Sequence, residues 1–370
     1  MVFTIPPRPA GTAYEYKGAY LMRVGESLRP MTEDTLRRIF AEGSQDFLLR
    51  AALSDVSGED VQRLLYTGSF FDLMKFPHPA TRDAMLQRLE QEHLVMRHGS
   101  RWHITNLGAL LFAKNLRDFD LQRKGPRVIV YRGTNKLETV RDHIGNRGYA
   151  AGFQSLLGFI DSQLPANEVI GQALRTTTRM YPEIAIRELV ANALVHQDIE
   201  DSSSFIMVEI FVDRIEISNP GAPLVEPDRF IDKVNSRNER LTDIMRRFGI
   251  CEERSSGIDK VISSAEFYQL PAPEFRATEQ RTIAVLFAHK HFRDMERSER
   301  IRACYQHACL CYVNNKRMTN QSLRERFKLP EHKVDAISRI IADAVADGFI
   351  KSDDPENTSR RYAKYIPYWG

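Results

Sequence analysis

Glu188, Asn192 and His196 stand at intervals of four in the stretch Tyr181–Asp198. Four residues is just over one helical turn, so Glu188 and Asn192 lie one above the other and His196 continues their side with some drift. A carboxylate, an amide and an imidazole therefore form a row that can accept, donate and meet an anion. Taken alone, such a row reads more simply as the solvated side of a surface helix. Two later stretches change the weighing. Asn219-Pro220-Gly221-Ala222-Pro223 is a loop of helix-breaking and φ-permissive residues at a strand end. Arg254-Ser255-Ser256-Gly257 is a short polar loop that opens another helix.

The helix under the row has its own anchor. Pro182 is pre-organised for a helical start. At 100° per residue, Ile186, Leu189, Val190, Ala193 and Leu194 share one apolar arc. Ahead of it, Lys124-Gly125-Pro126 marks a boundary, Arg127–Tyr131 reads as a buried strand, and Ala150–Gln163 as a helix. After it come strands Phe205–Val212 and Arg214–Ser218, a helix Arg240–Phe248 with Gly249 as its C-cap, a helix Ile258–Phe267 and a strand Arg281–Phe287. This alternation predicts a two-layer α/β sandwich.

The flanks differ in pattern. Gly18–Met31 reads as a strand, a turn and an extended exit, and Thr32 could cap a helix Glu33–Ala41. That piece has too few apolar anchors for a core of its own. Asp46–Lys114 has a helical pattern that ends in a hairpin, with Ser57 capping Gly58–Tyr66 and a helix at Thr81–Glu92. It suggests either a winged-helix module or a plain helical bridge. Beyond Lys290 the order is helix Glu296–Val313, helix Gln321–Phe327, helix Glu331–Asp347, then strands at Gly348–Lys351 and Tyr362–Ile366. That is the winged helix-turn-helix order. The expected fold class is α/β (α+β) and multidomain, divided at 1–42, 43–125, 126–292 and 293–370.

Composition bounds the reading. The chain has 370 residues, 42% apolar and 27% charged, as soluble globular proteins do. With 52 basic and 49 acidic residues the net charge is +3, so no global field attracts nucleic acid. No run of about 18 apolar residues suggests a membrane span. The start lacks a signal-peptide layout, and four cysteines suit a reduced cytoplasm. Cys304, Cys309 and Cys311 lack Cys-x-x-Cys pairing and a histidine cluster, so buried thiols are favoured over zinc.

Glu188-x-x-x-Asn192 on a helix resembles the N-box of the GHKL ATP-binding fold of gyrase, Hsp90-type chaperones, histidine kinases and MutL. The resemblance implies that Asn192 holds Mg²⁺ on the phosphates of ATP, while Glu188 orients and deprotonates the attacking water. One helix face serves both tasks, since metal ligand and base must reach the same triphosphate. It further places Asn219 and Gly221 at the adenine, and Arg254, Ser255, Ser256 and Gly257 at the phosphates, where a helix N-terminus suits an anion. His196 could touch a phosphate or cap its own helix. More narrowly, Tyr20–Met31, Tyr131–Thr139, Ile186–Asp198, Asp213–Gly221, Cys251–Lys260 and Glu299–Phe327 resemble bacterial ATP-binding proteins with a Schlafen/AlbA-type N-terminal domain, often described as helicase-like or as transcriptional regulators. On that resemblance, residues 1–42 are the closing part of such a domain.

Departures from the pattern favour binding over hydrolysis. Asn219 stands where the fold has an aspartate, so an uncharged acceptor would meet the adenine amino group. The second glycine of that box is replaced near Pro223, and the phosphate turn has one glycine, Gly257, where two are usual. The lid between Pro223 and Arg254 is short. No Gly-x-x-x-x-Gly-Lys-Ser/Thr occurs, which excludes a P-loop motor. Residues 296–370 hold 14 basic and 10 acidic residues, but Glu331–Asp347 sets Lys333 and Arg339 against four carboxylates. Such a helix suits a major groove poorly. Contact with DNA would fall to the wing through Arg360, Arg361 and Lys364. The expected partners are thus ATP, DNA at the wing, and a second copy in a homodimer. The alternatives are a nucleotide-free interaction module with a degenerate pocket, or an active ATPase in a defence or DNA-transaction complex.

Overall fold

Alternation of apolar residues decides which face of the central sheet is inside. Val128, Val208 and Ile217 pair across three adjacent strands and are all buried in the main core. Their sequence neighbours Ile129 and Met207, together with Phe211, belong to a separate small cluster on the other face. The period of two is the geometry of a pleated strand. The computed structural model describes residues 13–24, 27–41, 46–170, 175–201, 204–233, 235–252, 257–354 and 363–370.

The chain opens with a meander, β1 (Glu15–Tyr16), β2 (Ala19–Val24) and β3 (Ser27–Pro30), followed by α1 (Glu33–Ala41). Next come β4 (Ala51–Val56), α2 (Gly58–Leu64), α3 (Thr67–Met74), α4 (Arg82–Gln91), β5 (Val95–His98), β6 (Arg101–Thr105) and α5 (Asn106–Phe112). Ser57 and Asp60 form a capping box at α2, and Thr81 caps α4. The segment after Asp46 departs from the helical expectation. The Asp46 carboxylate accepts from Leu48 N–H and closes only a 3-10 turn, and β4 then pairs with β6.

The central sheet takes β7 (Pro126–Tyr131) and β8 (Thr139–Ile144), then α6 (Tyr149–Gln163), a hairpin of β9 (Ala166–Ile170) and β10 (Arg175–Arg179), and α7 (Glu183–His196). It is completed by β11 (Ile206–Ile210), β12 (Arg214–Pro220), α8 (Glu239–Arg247), α9 (Gly257–Phe267), β13 (Glu274–Ala277) and β14 (Arg281–Phe287). Strand order is β13-β14-β12-β11-β7-β8, with β7 and β11 parallel. β12 runs two residues past the expected Ser218, because Asn219 and Pro220 still pair with Thr282 and Arg281 of β14. Pro220 fits there since β11 has already ended and no partner asks for its missing N–H. Helix α7 packs between β12 and α9, so it is buried nearly all round rather than on one arc.

Last come α10 (Arg297–Val313), α11 (Asn320–Arg326), α12 (Val334–Ala346), β15 (Ile350–Ser352) and β16 (Tyr365–Pro367). Glu296 and Glu299 cap α10 reciprocally, as Thr319 and Ser322 do α11. Cys304 and Cys309 are buried in this second core, whereas Cys311 is half-buried. Ile231 and Ile262, from the central region, join the same core. The first core runs unbroken from Leu48 to Leu286. Lys124 is buried, and its ammonium donates to the carbonyl of Asp201 in the loop after α7. The whole is a multidomain α+β architecture. Among the described residues no helix is long and apolar enough to cross a membrane.

Candidate functional site

Helix α7 forms one wall of a cleft with about 1190 Å³ of atom-free space, counting its open mouth. Glu188, Asn192 and His196 all line it. With a 1.5 Å rise per residue, this row extends about 12 Å along the helix. The row does not face water alone. Glu188 is 1% exposed, because the first turn of α9 covers it. A Cβ on Gly257 would lie 3.0 Å from Glu188 Oε2 and 3.7 Å from Asn192 Nδ2. Glycine at this position therefore lets a helix N-terminus approach the carboxylate and the amide together.

Burial, then the nearby charge of Glu252, raises the Glu188 pKa above the usual carboxylate range. Arg187 offsets part of this: its Nη1 donates to Glu188 Oε1 at 3.2 Å, while Nη2 donates to Gly249 O at 2.6 Å. Among the described residues the Asn192 side chain has no hydrogen-bond partner. His196 closes the last turn of α7, and burial followed by the Arg237 charge lowers its pKa. The imidazole is thus neutral near pH 7, which removes the charge a helix C-terminus would favour and leaves His196 as a cleft-lining donor or acceptor.

Asn219 is buried at the end of β12. Its Nδ2 donates to Pro220 O at 3.0 Å and His196 O at 3.3 Å, which orients the amide and leaves Oδ1 as the acceptor. Gly221 stands behind the cleft wall with φ +95°, and a Cβ there would meet Asp198 Cβ at 3.1 Å. The lining resumes at Ala222 and Pro223. Arg254, Ser255 and Ser256 lie outside the described residues, as do Arg360 and Arg361. Lys364 is described and exposed on the edge of the terminal hairpin.

Several groups in the cleft carried no motif. Lys233, Arg237 and Arg246 bring three cations to it, against the carboxylates of Glu188 and Glu252. Arg237 donates to Ala222 O at 2.6 Å. Phe230 and Phe275 meet edge to face, 5.6 Å between centroids, and line an apolar side. Asn238 donates to Val195 O and Gln197 O, both at 2.8 Å, and so satisfies the carbonyl end of α7. In the sequence, an asparagine just ahead of a helical pattern is the one available hint of Asn238, and it points to α8 instead. The arrangement can hold a planar apolar group near Ile217 and Phe275. It can hold an anion at the α9 N-terminus and the cations.

Residues 203–286 match the family whose description reads "Putative ATP-dependent DNA helicase recG C-terminal". This makes that part of the chain ATPase-like. The match takes in Asn219, Gly221 and Gly257 but begins after Glu188 and Asn192. A solved structure of the DIP2311 protein from Corynebacterium diphtheriae is similar over 95% of this chain and 70% of that one, with 14% identity and a TM-score of 0.52. At that identity the likeness is one of fold. No curated protein matches.

Proposed function

We propose that the chain binds Mg·ATP in this cleft, and that the nucleotide biases the posture of the C-terminal three-helix module. The observation that carries the reading is convergence. Glu188, Asn192, His196, Asn219 and Gly257, singled out at three separate places in the sequence, line one cleft. The groups present suit the ligand. Asn192 offers an amide oxygen, the hard ligand type Mg²⁺ takes. Gly257 opens a helix N-terminus, and three cations can neutralise phosphates. Asn219 Oδ1 can accept from an adenine amino group among apolar walls. On this reading residues 126–292 form a GHKL-like domain, 43–125 a helical bridge and 293–370 a winged helix.

Two routes, through α9 and through the lid, support the coupling. Helix α9 touches Glu188 and Asn192 at Gly257. At its far end Glu266 meets His307 at 3.1 Å and Arg326 at 3.7 Å. In the lid, Phe230 lines the cleft while its neighbour Ile231 belongs to the C-terminal core. Asp228 O accepts from Tyr305 Oη at 2.6 Å, and the Arg229 guanidinium lies 4.6 Å from the Trp369 ring centroid. A ligand that binds one lid position better than another would thereby shift the module.

Isothermal titration of Mg·ATP against wild type and Asn192→Ala tests the reading. Uptake by the wild type and at least tenfold weaker uptake by the variant are expected. If neither takes up nucleotide, the chain is the nucleotide-free interaction module instead. Hydrolysis is a second reading, favoured by the raised pKa of Glu188, which suits a general base. Equal phosphate release from wild type and Glu188→Ala would remove it. DNA contact by the wing is part of the proposal. Asp343 of α12 and Asp347 at its C-cap are paired with Arg297, at 3.3 and 2.8 Å, so part of the acidity there is neutralised internally. A salt titration of DNA affinity with a flat response would argue against it. Cytoplasmic location and a homodimer complete the proposal, the latter checked by light scattering.

A further inference from the structure

Helix α8 stands between the cleft and the module built from β4–β6 and α2–α5. Thr242 and Arg246, one helical turn apart, line the cleft. Arg240 and Arg247, two turns apart, share the opposite side, since about 200° of helical rotation separates Arg240 from Thr242. The module meets them there. The Arg247 guanidinium grips Glu92, the C-cap of α4, with Nη1 2.7 Å from Oε2 and Nη2 2.8 Å from Oε1. The Glu92 side chain is 14% exposed, which limits screening of this two-bonded pair. Arg240 lies 3.5 Å from Asp46 in a second, more exposed pair. Phe248, the C-cap of α8, is buried edge to face against Phe112 of α5 and Phe70 of α3, with 5.6 and 6.2 Å between centroids. On the cleft side, Arg246 Nε donates to Glu252 O at 3.3 Å, and its two Nη groups make no hydrogen bond among the described residues. The helix is thus bonded to α4 on one face and offers the cleft a cationic fork on the other.

We propose that α8 couples occupancy of the cleft to the posture of α4 and the β5–β6 hairpin, with the Arg247–Glu92 pair as the link. This rests on the reading of the cleft as an ATP site, and it adds an output toward the first module to the one that runs through the lid and α9. A phosphate drawn to the Arg246 fork acts on a helix whose far face is tied to α4. The Arg247–Glu92 pair holds that fork in place before the phosphates arrive, whereas without it binding must first order the helix. The linkage is reciprocal, so whatever restrains α4 from outside changes affinity in the cleft by the same factor.

The test titrates Mg·ATP into the full chain as wild type, Glu92→Gln, Arg247→Gln and the double variant, by calorimetry, and follows hydrogen exchange over residues 82–105 with and without the nucleotide. Mg·ATP should slow exchange there by at least about threefold in the wild type and leave it unchanged in the variants, while α7 and α9 are protected in all four. Each single variant should bind roughly three- to tenfold more weakly, and the double variant no more weakly than either. Arg247→Gln breaks the pair from its exposed side, so the comparison can be read even if Glu92→Gln loses stability. No uptake by the wild type would overturn the ATP reading and this inference together. Uptake without slowed exchange over 82–105, or single variants that bind as the wild type does, would overturn the coupling alone and leave the ATP site standing. Additive losses in the double variant would show that the two residues act separately and would refute the pair as the link.

Discussion

Raising the pH should loosen the grip of the C-terminal module on α9. His307 of α10 sits between Glu266 of α9, whose two oxygens are each 3.1 Å from Nδ1, and Ser322 of α11, 3.1 Å from Nε2. Cys311 Sγ lies 3.7 Å from Nε2, and Arg326 faces Glu266 from the other side. Burial disfavours the imidazolium, but the bonds to Cys311 and Glu266 outweigh it and hold the pKa up at about 9. A raised histidine pKa means the folded state holds its proton longer than the unfolded one. The stabilisation is therefore complete below the unfolded pKa near 6.5 and is lost as pH rises through 9. A gap of about 2.5 units at roughly 1.36 kcal/mol each sets a ceiling of about 3 kcal/mol. Solvent screening is slight, since the two side chains are 12% and 16% exposed. The assay compares denaturant unfolding at pH 6 and pH 9.5 in wild type and Glu266→Gln, with the His307 titration followed by NMR. The wild type should lose between about 1 and 3 kcal/mol more than the variant over that interval. A His307 that titrates near 6.5 in the wild type, or an equal loss in both proteins, would refute the reasoning.

Four further outcomes are expected. Glu188→Gln should raise the melting temperature near pH 7, because the folded state disfavours the charged form of this buried carboxyl; an unchanged or lower value would contradict the direction of its shift. Asn238→Ala uncovers two carbonyls at the end of α7 and should destabilise the fold by roughly 2 kcal/mol in urea unfolding. Gly221→Ala forces an L residue to φ +95° against Asp198 and should cost about 1–2 kcal/mol, measured the same way. Asp259, in the first turn of α9, is pushed up to about 6 by burial, so stability attached to its neutral form should fall as pH rises from about 4 to 6. Asp259→Asn should flatten that part of the pH profile.

The site was legible where one helix carries it. Glu188 and Asn192 meet at the spacing a helix dictates, and Gly257 was marked by its place at the head of the next helix. What α9 does to that face was not legible. The polar side of α7 suggested solvent, yet α9 covers Glu188, and no local pattern encodes which element will pack there. Arg237 and Phe230 come from irregular lid backbone and Arg246 from α8, and all three reach the cleft only through long-range docking. In the fold, Arg127–Tyr131 announced itself as a continuous apolar run. Its neighbour β8 is exposed along five of six positions and carries no such signal. Strand β4 was hidden for a related reason, since Ala51–Val56 becomes a strand only through pairing with residues some fifty positions away.

The bond pair made by Asn238 also bears on kinetics. The residue belongs to the loop over the cleft, and its amide holds the last carbonyls of the helix that floors it. Swinging that loop outward removes both donors in one step, and the exposed helix end must then recruit water. Where entry of a guest requires that movement, the waiting time is set by the protein rather than by diffusion of the guest. If the proposed nucleotide enters by that movement, Asn238→Ala should speed its association and its dissociation by more than it changes their ratio.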